Sequence, residues 1–224
     1  MDKAAISWSA GKDSCLAWLR ACEQGFDVAT FVTMCEPDGT SKSHALPPAL
    51  IEAQVSAISG TWAPVRVPPG RYAQCFDTEL QRLRETGHTH MVFGDIDLVA
   101  HRDWLEPACT RAGLVAVFPL WCEARAALAA EIISRGIRAR IVCVDTRWLD
   151  ASFCGVDYDL RFLARLPAGV CPCGEDGEFH SFVFDAPGFA KPVPIANGMQ
   201  QRVRSTPPLA PTELVLQAPV LVGA

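Results

Sequence analysis

The chain has no apolar run long enough to span a membrane, no C-x-x-C pair, no basic block and no internal repeat. The first absence excludes a helical membrane span. The second leaves tetrahedral zinc without support. Of ten cysteines only Cys171-Pro172-Cys173 forms a close pair, and no second pair completes a site. Most of the others sit in apolar stretches such as Val32-Thr33-Met34-Cys35 and Ile141-Val142-Cys143-Val144. There cysteine acts as a small hydrophobe, and the thiols are expected to be reduced. The third absence, with a net charge of −5, argues against a broad nucleic-acid surface. Lysine is scarce, four residues against sixteen arginines, and with abundant alanine this reads as a GC-rich bacterial coding bias. A secretory pattern is also missing. Asp2-Lys3 is followed almost at once by a motif beginning at Ser7, so a cytoplasmic protein without a cleaved leader is expected.

That motif is the most informative feature present. Ser7-Trp8-Ser9-Ala10-Gly11-Lys12-Asp13-Ser14 follows the apolar Ala4-Ala5-Ile6 and precedes the helix-like Cys15-Leu16-Ala17-Trp18-Leu19. A strand, a turn of small residues and a helix start make an anion site. The backbone can approach closely, the first helical N–H groups lack partners, and the dipole favours negative charge. Lys12 adds a point charge able to reach phosphate oxygens. The octet is not a Walker A loop, because Ile6 stands where the first glycine belongs and Asp13 follows the lysine. The plain alternative is an ordinary helix start with a solvent-facing lysine.

Hydrophobic residues make up 50% of the 224, enough for a full core in one large domain or two small ones. Candidate strands at 4–8, 28–35, 64–67, 90–95 and 114–118 alternate with candidate helices at 13–24, 47–59, 72–85, 104–112 and 124–135. This alternation predicts βαβ units, a parallel sheet with helices on both faces, and a ligand beyond the carboxyl ends of the strands. Another strand is expected at 141–145. Beyond it the texture changes to short β segments at 182–184, 193–195 and 201–203, with a helical insert near 158–166. The tail 206–224 reads as a loose edge strand or arm. A boundary near residue 120 divides a nucleotide-binding unit, 1–120, from a smaller unit, 121–224.

A second constellation lies at Gly174-Glu175-Asp176-Gly177-Glu178-Phe179-His180-Ser181. Carboxylates and an imidazole crowded into so few residues point to a cation, a cationic ligand or a polar substrate. A solvated acidic turn leading into a strand is the alternative. His44, in the loop after the second strand, either contacts a ligand or is a loop residue without a role. Trp8 and Trp18 fit helix–sheet packing better than adenine stacking. Arg102 reads as a surface partner of Asp103, and Cys173 as a structural thiol rather than a nucleophile.

The octet resembles the Ser-Gly-Gly-Lys-Asp-Ser pyrophosphate loop of ATP pyrophosphatases, with Ala10 replacing the first glycine. Alanine preserves the loop unless that residue needs a positive φ. The second constellation resembles the Gly-Glu-x-Gly-Glu-Phe-His-Thr signature of the diphthine–ammonia ligase family, which carries the same kind of loop. Gly94-Asp95-Ile96, Arg102 to Glu106, Cys109, Gly113-Leu114 and Pro119-Leu120-Trp121 agree, so the likeness spans about residues 4 to 190. It implies a Rossmann-like, doubly wound α/β fold of the adenine nucleotide alpha hydrolase-like type, with a smaller C-terminal α+β unit.

The resemblance also implies an ATP-dependent ligase. A carboxylate is adenylated with release of pyrophosphate, and ammonia then displaces AMP. Ser7, Ser9, Ala10, Gly11, Lys12, Asp13, Ser14, Gly94 and Asp95 would bind ATP, with Lys12 offsetting charge on the leaving pyrophosphate. Asp13 and Asp95 are candidate magnesium ligands. His44, Gly174, Glu175, Gly177, Glu178 and Phe179 would shape the acceptor site. Lys12, Asp13, Glu175, Glu178 and His180 are the candidate catalytic residues, one of the last three handling ammonium or its proton. Diphthamide belongs to archaeal and eukaryotic cells. A bacterial origin therefore implies a different acceptor, a small or protein-borne carboxylate, and a homo-oligomer is possible.

Two other readings compete. An enzyme that modifies tRNA is disfavoured by the acidic charge and the missing C-x-x-C pairs and basic arm. An ATP or AMP sensor without turnover would not need the acidic second constellation. An interaction module with a degenerate loop is least consistent with intact Lys12, Asp13 and Ser14.

Overall fold

The computed structural model describes residues 2–204 and 211–223; the expectation for the tail at 206–210 and Ala224 lies outside the described residues. Five strands, β1 (Lys3–Ser7), β2 (Asp27–Cys35), β3 (Thr61–Arg66), β4 (His90–Val92) and β5 (Val115–Val117), form a parallel sheet in the order β3-β2-β1-β4-β5. Helices α1 (Lys12–Glu23), α2 (Pro48–Ala57), α3 (Tyr72–Glu85) and α4 (Val99–Arg111) connect them. The chain winds outward from β1 to β3, then crosses back to β4, so the order reverses between β1 and β4. A crevice opens at such a reversal, beyond the carboxyl ends of the strands.

Two clusters cover the sheet's faces. Ile6, Leu16, Phe31, Leu50, Ile51 and Val92 belong to the α1/α2 side. Ala5, Val32, Phe76, Leu80, Met91 and Leu105 belong to the α3/α4 side. Each large apolar side chain buried in this way contributes about 1.5–3 kcal/mol. Pro64 sits within β3, three residues after its start, and is tolerated because β3 is an edge strand. Helix α4 begins five residues before the expected Trp104, at Val99, and carries Pro107 inside it.

The remainder builds a four-stranded antiparallel sheet, β7-β6-β10-β9, from β6 (Arg138–Asp145), β7 (Phe179–Asp185), β9 (Gln201–Arg204) and β10 (Glu213–Leu216). A separate pair joins β8 (Ile195–Asn197) to β11 (Pro219–Leu221). Helices α5 (Arg125–Ser134) and α6 (Leu160–Arg165) complete the chain. One expectation is corrected: within the tail read as a loose edge strand or arm, Glu213–Leu216 is neither. Strand β10 lies inside the sheet between β6 and β9, with Val215 fully buried. Its pairing partners are about 70 residues upstream as well as nearby, which local alternation does not show.

The two sheets share one continuous apolar cluster running from Ile6 and Leu16 to Ile141, Phe179 and Phe182. Strand β7 reaches the phosphate-type loop directly, since Val183 N donates to Ala10 O at 2.9 Å. No helix among the described residues is long and apolar enough to cross a membrane.

Candidate active site

A cavity of about 780 Å³ opens at the β1/β4 reversal. Ser7, Ser9, Lys12, Asp13, Ser14, His44, Gly94, Asp95, Gly174, Glu175, Gly177, Phe179 and His180 all line it. Residues from both ends of the sequence therefore meet in one space.

The loop at its centre is held from within. Ser9 Oγ accepts from Gly11 N at 3.2 Å and lies 3.1 Å from Ser14 Oγ, which donates to Gly11 O at 2.9 Å. The N-cap residue Gly11 offers no side-chain acceptor to α1, which leaves the first-turn N–H groups beyond Lys12 suited to an anion. Ala10 is buried with φ of 67°, the left-handed region. The loop therefore forms despite the substitution, at a cost of roughly 1–2 kcal/mol relative to an unstrained backbone. Gln54 Nε2 and Val183 N both donate to the Ala10 carbonyl and hold it there. Gly94 is favoured by proximity. A Cβ there would lie 3.0 Å from Ser14 N and Cα and 3.2 Å from Asp13 C, backbone atoms that cannot yield without moving α1.

Lys12 is not a free solvent-facing cation. It is 2% exposed, and its Nζ donates to Asp13 Oδ2 at 2.7 Å and to the Cys173 carbonyl. Its backbone N–H donates to Ser181 Oγ at 3.2 Å. The Tyr158 and Phe179 rings lie 5.5 and 5.3 Å from the ammonium. Burial pulls the Lys12 ammonium down, but Asp13, Cys173 and Glu175 outweigh it and hold the group above the usual lysine range. Asp13 Oδ1 is buried without a partner.

The Gly174–Ser181 segment divides into two kinds of residue. Glu175 lines the cavity, and burial first, then Asp13, pushes its carboxyl up to about 7. His180 and His44 stack at 4.7 Å between ring centroids. Burial and then Lys12 bring His180 down to about 4. Burial, His180 and Lys12 hold His44 well below the usual histidine value. Both rings are thus neutral at pH 7, and His44 Nδ1 is buried without a partner.

Glu178 stands apart from the expectation that it faces a substrate. It does not line the cavity, and its carboxylate accepts from Cys171 N at 2.7 Å and Asp176 N at 3.0 Å. Being 1% exposed, it braces the turn that presents Glu175. Gly174 permits that turn: φ is 73°, and a Cβ would meet the Phe179 carbonyl at 2.7 Å. Cys171, Asp176 and Glu178 offer ligand atoms within 4.8 Å of one another. The two carboxylates are already engaged, by the Cys171 and Asp176 amides on Glu178 and by Arg125 on Asp176.

Other candidates resolve by geometry. Asp95 lines the cavity and pairs with His101 Nδ1 at 2.9 Å, raising the imidazole. Arg102 pairs with Glu106, not with Asp103, and lies over Trp121 at 4.8 Å. Trp8 donates to Gln54 Oε1 at 2.7 Å and packs edge-on against Phe31. Cys173 is buried and donates to the Arg125 carbonyl at 3.1 Å, and burial pushes its thiol to about 12, far from a reactive thiolate.

Sequence reasoning missed the opposite wall. Tyr72 and Phe76 on α3, Trp104 on α4 and Leu98 just before α4 line the cavity. Phe76 and Trp104 lie 5.1 Å apart, Tyr72 and Trp104 6.0 Å. Tyr72 and Trp104 remain 42% and 39% exposed, offering apolar ring surface to the cavity. Its one trace in the sequence is that the candidate helices 72–85 and 104–112 each open on an aromatic residue, Tyr72 and Trp104.

Glu175, the buried Lys12 and the Ser7–Ser14 loop line one cavity. The model of the diphthamide synthase N-terminal domain matches residues 2–116, and that of the diphthamide synthase C-terminal domain matches 125–205. A curated diphthine–ammonia ligase of Danio rerio is 31% identical over 113 residues, 48% of this chain and 44% of that protein. The chain thus aligns with less than half the length of that relative. A solved structure, a predicted subunit of tRNA methyltransferase from Methanocaldococcus jannaschii, superposes with a TM-score of 0.44 at 15% identity, over 62% of this chain and 80% of that one. With both domain models matched in order along one sequence, this chain belongs to the diphthamide synthase family.

Proposed function

We propose that the protein is an ATP-dependent carboxylate–ammonia ligase. The observation that carries this reading is the meeting of the Lys12–Asp13 loop and Glu175 in a single cavity. The acceptor carboxylate oxygen attacks the α-phosphorus of ATP, and the α–β bridging oxygen leaves with pyrophosphate. Ammonia then adds to the acyl carbon of the adenylate, loses a proton, and AMP departs.

Each residue has a place in that sequence. Phosphates lie against the Ser9–Ser14 turn and the start of α1, where Lys12, preorganised by Asp13 and the Cys173 carbonyl, offsets the growing charge on pyrophosphate. The unpartnered Asp13 Oδ1 and the cavity-lining Asp95 carboxylate are hard oxygen donors that suit magnesium. Bound there, the ion would neutralise phosphate charge. The base stacks on the Tyr72–Trp104 wall, and the acceptor enters from the side of the Glu175 loop. Glu175, titrating near 7, is suited to take the proton that ammonia loses. The neutral His44 and His180 accept hydrogen bonds without adding positive charge. On this reading residues 1–120 supply the nucleotide site and 121–224 the acceptor side, with an unidentified carboxylate, small or protein-borne, as acceptor.

The test is the products formed from ATP, magnesium and ammonium with a small-metabolite extract. AMP and pyrophosphate, dependent on the extract, are expected. ADP and phosphate would refute the mechanism. ATP-induced thermal stabilisation without turnover would favour a nucleotide sensor.

A further inference from the structure

Arg125 occupies an unfavourable place for a cation, the first residue of α5, where the helix dipole is positive. Two carboxylates compensate. Nε and Nη2 form a two-pronged pair with Asp97 at 2.8 and 2.9 Å, and Nη1 reaches Asp176 at 2.8 Å. Asp97 stands two residues beyond Asp95 on the segment leaving β4. Asp176 follows Glu175 directly. The Arg125 carbonyl accepts the Cys173 thiol, and the Cys173 carbonyl accepts the Lys12 ammonium. One residue therefore joins the β4 exit, the start of α5 and the loop that carries Glu175.

We propose that Arg125 is a positioning residue that fixes the width of the cavity by clasping the β4 exit to the Glu175 loop. Its planar fork suits the task, because the paired bonds set orientation as well as distance. The Asp97 side is only partly exposed, with side-chain exposures of 29% for Arg125 and 37% for Asp97, while Asp176 is 56% exposed. A peripheral ion pair would not need the fork and the third contact to Asp176. Without the clasp the loop keeps its internal Glu178 braces and the Cys173 contacts to Lys12 and to the Arg125 main chain, but loses its side-chain tie to the β4 exit. Glu175 then drifts relative to Lys12 and the loop at Ser7–Ser14. Such misplacement costs turnover much more than nucleotide binding, because only the reacting geometry depends on it.

This inference rests on the ligase reading for its activity arm, so the experiment includes an arm that does not. Arg125→Gln, Arg125→Lys and Asp176→Asn are compared in full-length protein. Pyrophosphate release from ATP, magnesium and ammonium with the active acceptor fraction gives turnover. Thermal-shift titration with ATP gives binding, and hydrogen exchange across 171–178 reads the loop. Arg125→Gln is expected to lower turnover about tenfold or more with ATP half-saturation changed less than about threefold. Loop exchange should rise about tenfold. Arg125→Lys, keeping charge without the fork, should recover part of both, and Asp176→Asn, which removes only the exposed arm, should show a smaller effect of the same kind. Wild-type turnover and exchange in Arg125→Gln would overturn the proposal, as would equal losses in turnover and ATP binding. If the wild-type protein forms no AMP, the ligase reading fails, and loop exchange in the same variants still decides the clasp.

Discussion

Replacing Glu175 with glutamine is expected to stabilise the protein at pH 8 and to leave it almost unchanged near pH 4.5. In the folded chain burial and the neighbouring Asp13 hold this carboxyl near 7, against 4.5 for an unperturbed glutamate. Below about 4.5 it is neutral folded and unfolded, and ionisation contributes nothing. Between 4.5 and 7 the unfolded chain releases its proton while the folded one retains it, so stability falls as pH rises. Above 7 both forms are ionised and the penalty is constant. The difference is worth at most about 3–4 kcal/mol. Partial access to the cavity screens it, leaving about 1–2 kcal/mol. Glutamine never ionises and escapes the penalty. For a chain of this size the melting temperature of Glu175→Gln should exceed that of the wild type by roughly 2–8 °C at pH 8, with no gap near pH 4.5. Differential scanning fluorimetry across pH 4.5–9 measures it. His44 and His180 titrate in both proteins, so their contribution cancels. A gap that is independent of pH, or one that grows on acidification, would refute the placement of Glu175 in a desolvated, carboxylate-rich site. Stabilisation by removal of an ionisable group is itself a sign of a functional position, where stability is sacrificed for chemistry.

Three further outcomes are expected. Lys12→Ala should lower AMP formation about tenfold or more with the fold retained, because the cation facing the leaving group is gone, and near-normal rates would remove the loop from the mechanism. Gly94→Ala should cost about 1–3 kcal/mol and weaken ATP-dependent thermal stabilisation, since its Cβ would press the backbone of α1; an unchanged melting curve contradicts the tight approach. Trp104→Ala should weaken ATP binding by about 1–3 kcal/mol while leaving pyrophosphate binding alone, and titration calorimetry with both ligands separates a stacking wall from an idle one.

Sequence alone determined the alternating α/β architecture, the position of the loop and the membership of both motifs in one family. Those features are local: strand and helix periodicities, small residues at a turn, and a run of glycines and carboxylates need no distant partner to be read. It located Glu175 beside the loop only through resemblance, and it treated Glu175 and Glu178 alike. Tertiary structure separated them, because one carboxylate is consumed by the amides of Cys171 and Asp176 and the other is left to the cavity. Strand β10 is a similar case: an edge strand or arm was legible in the tail, but its place between β6 and β9 follows from pairing across the chain. The left-handed Ala10, the proximity that favours Gly94 and the aromatic wall of Tyr72 and Trp104 were decided the same way. Periodicity specifies which face of an element is buried, but what that face meets, and hence which charges lose their water, depends on how the elements are brought together.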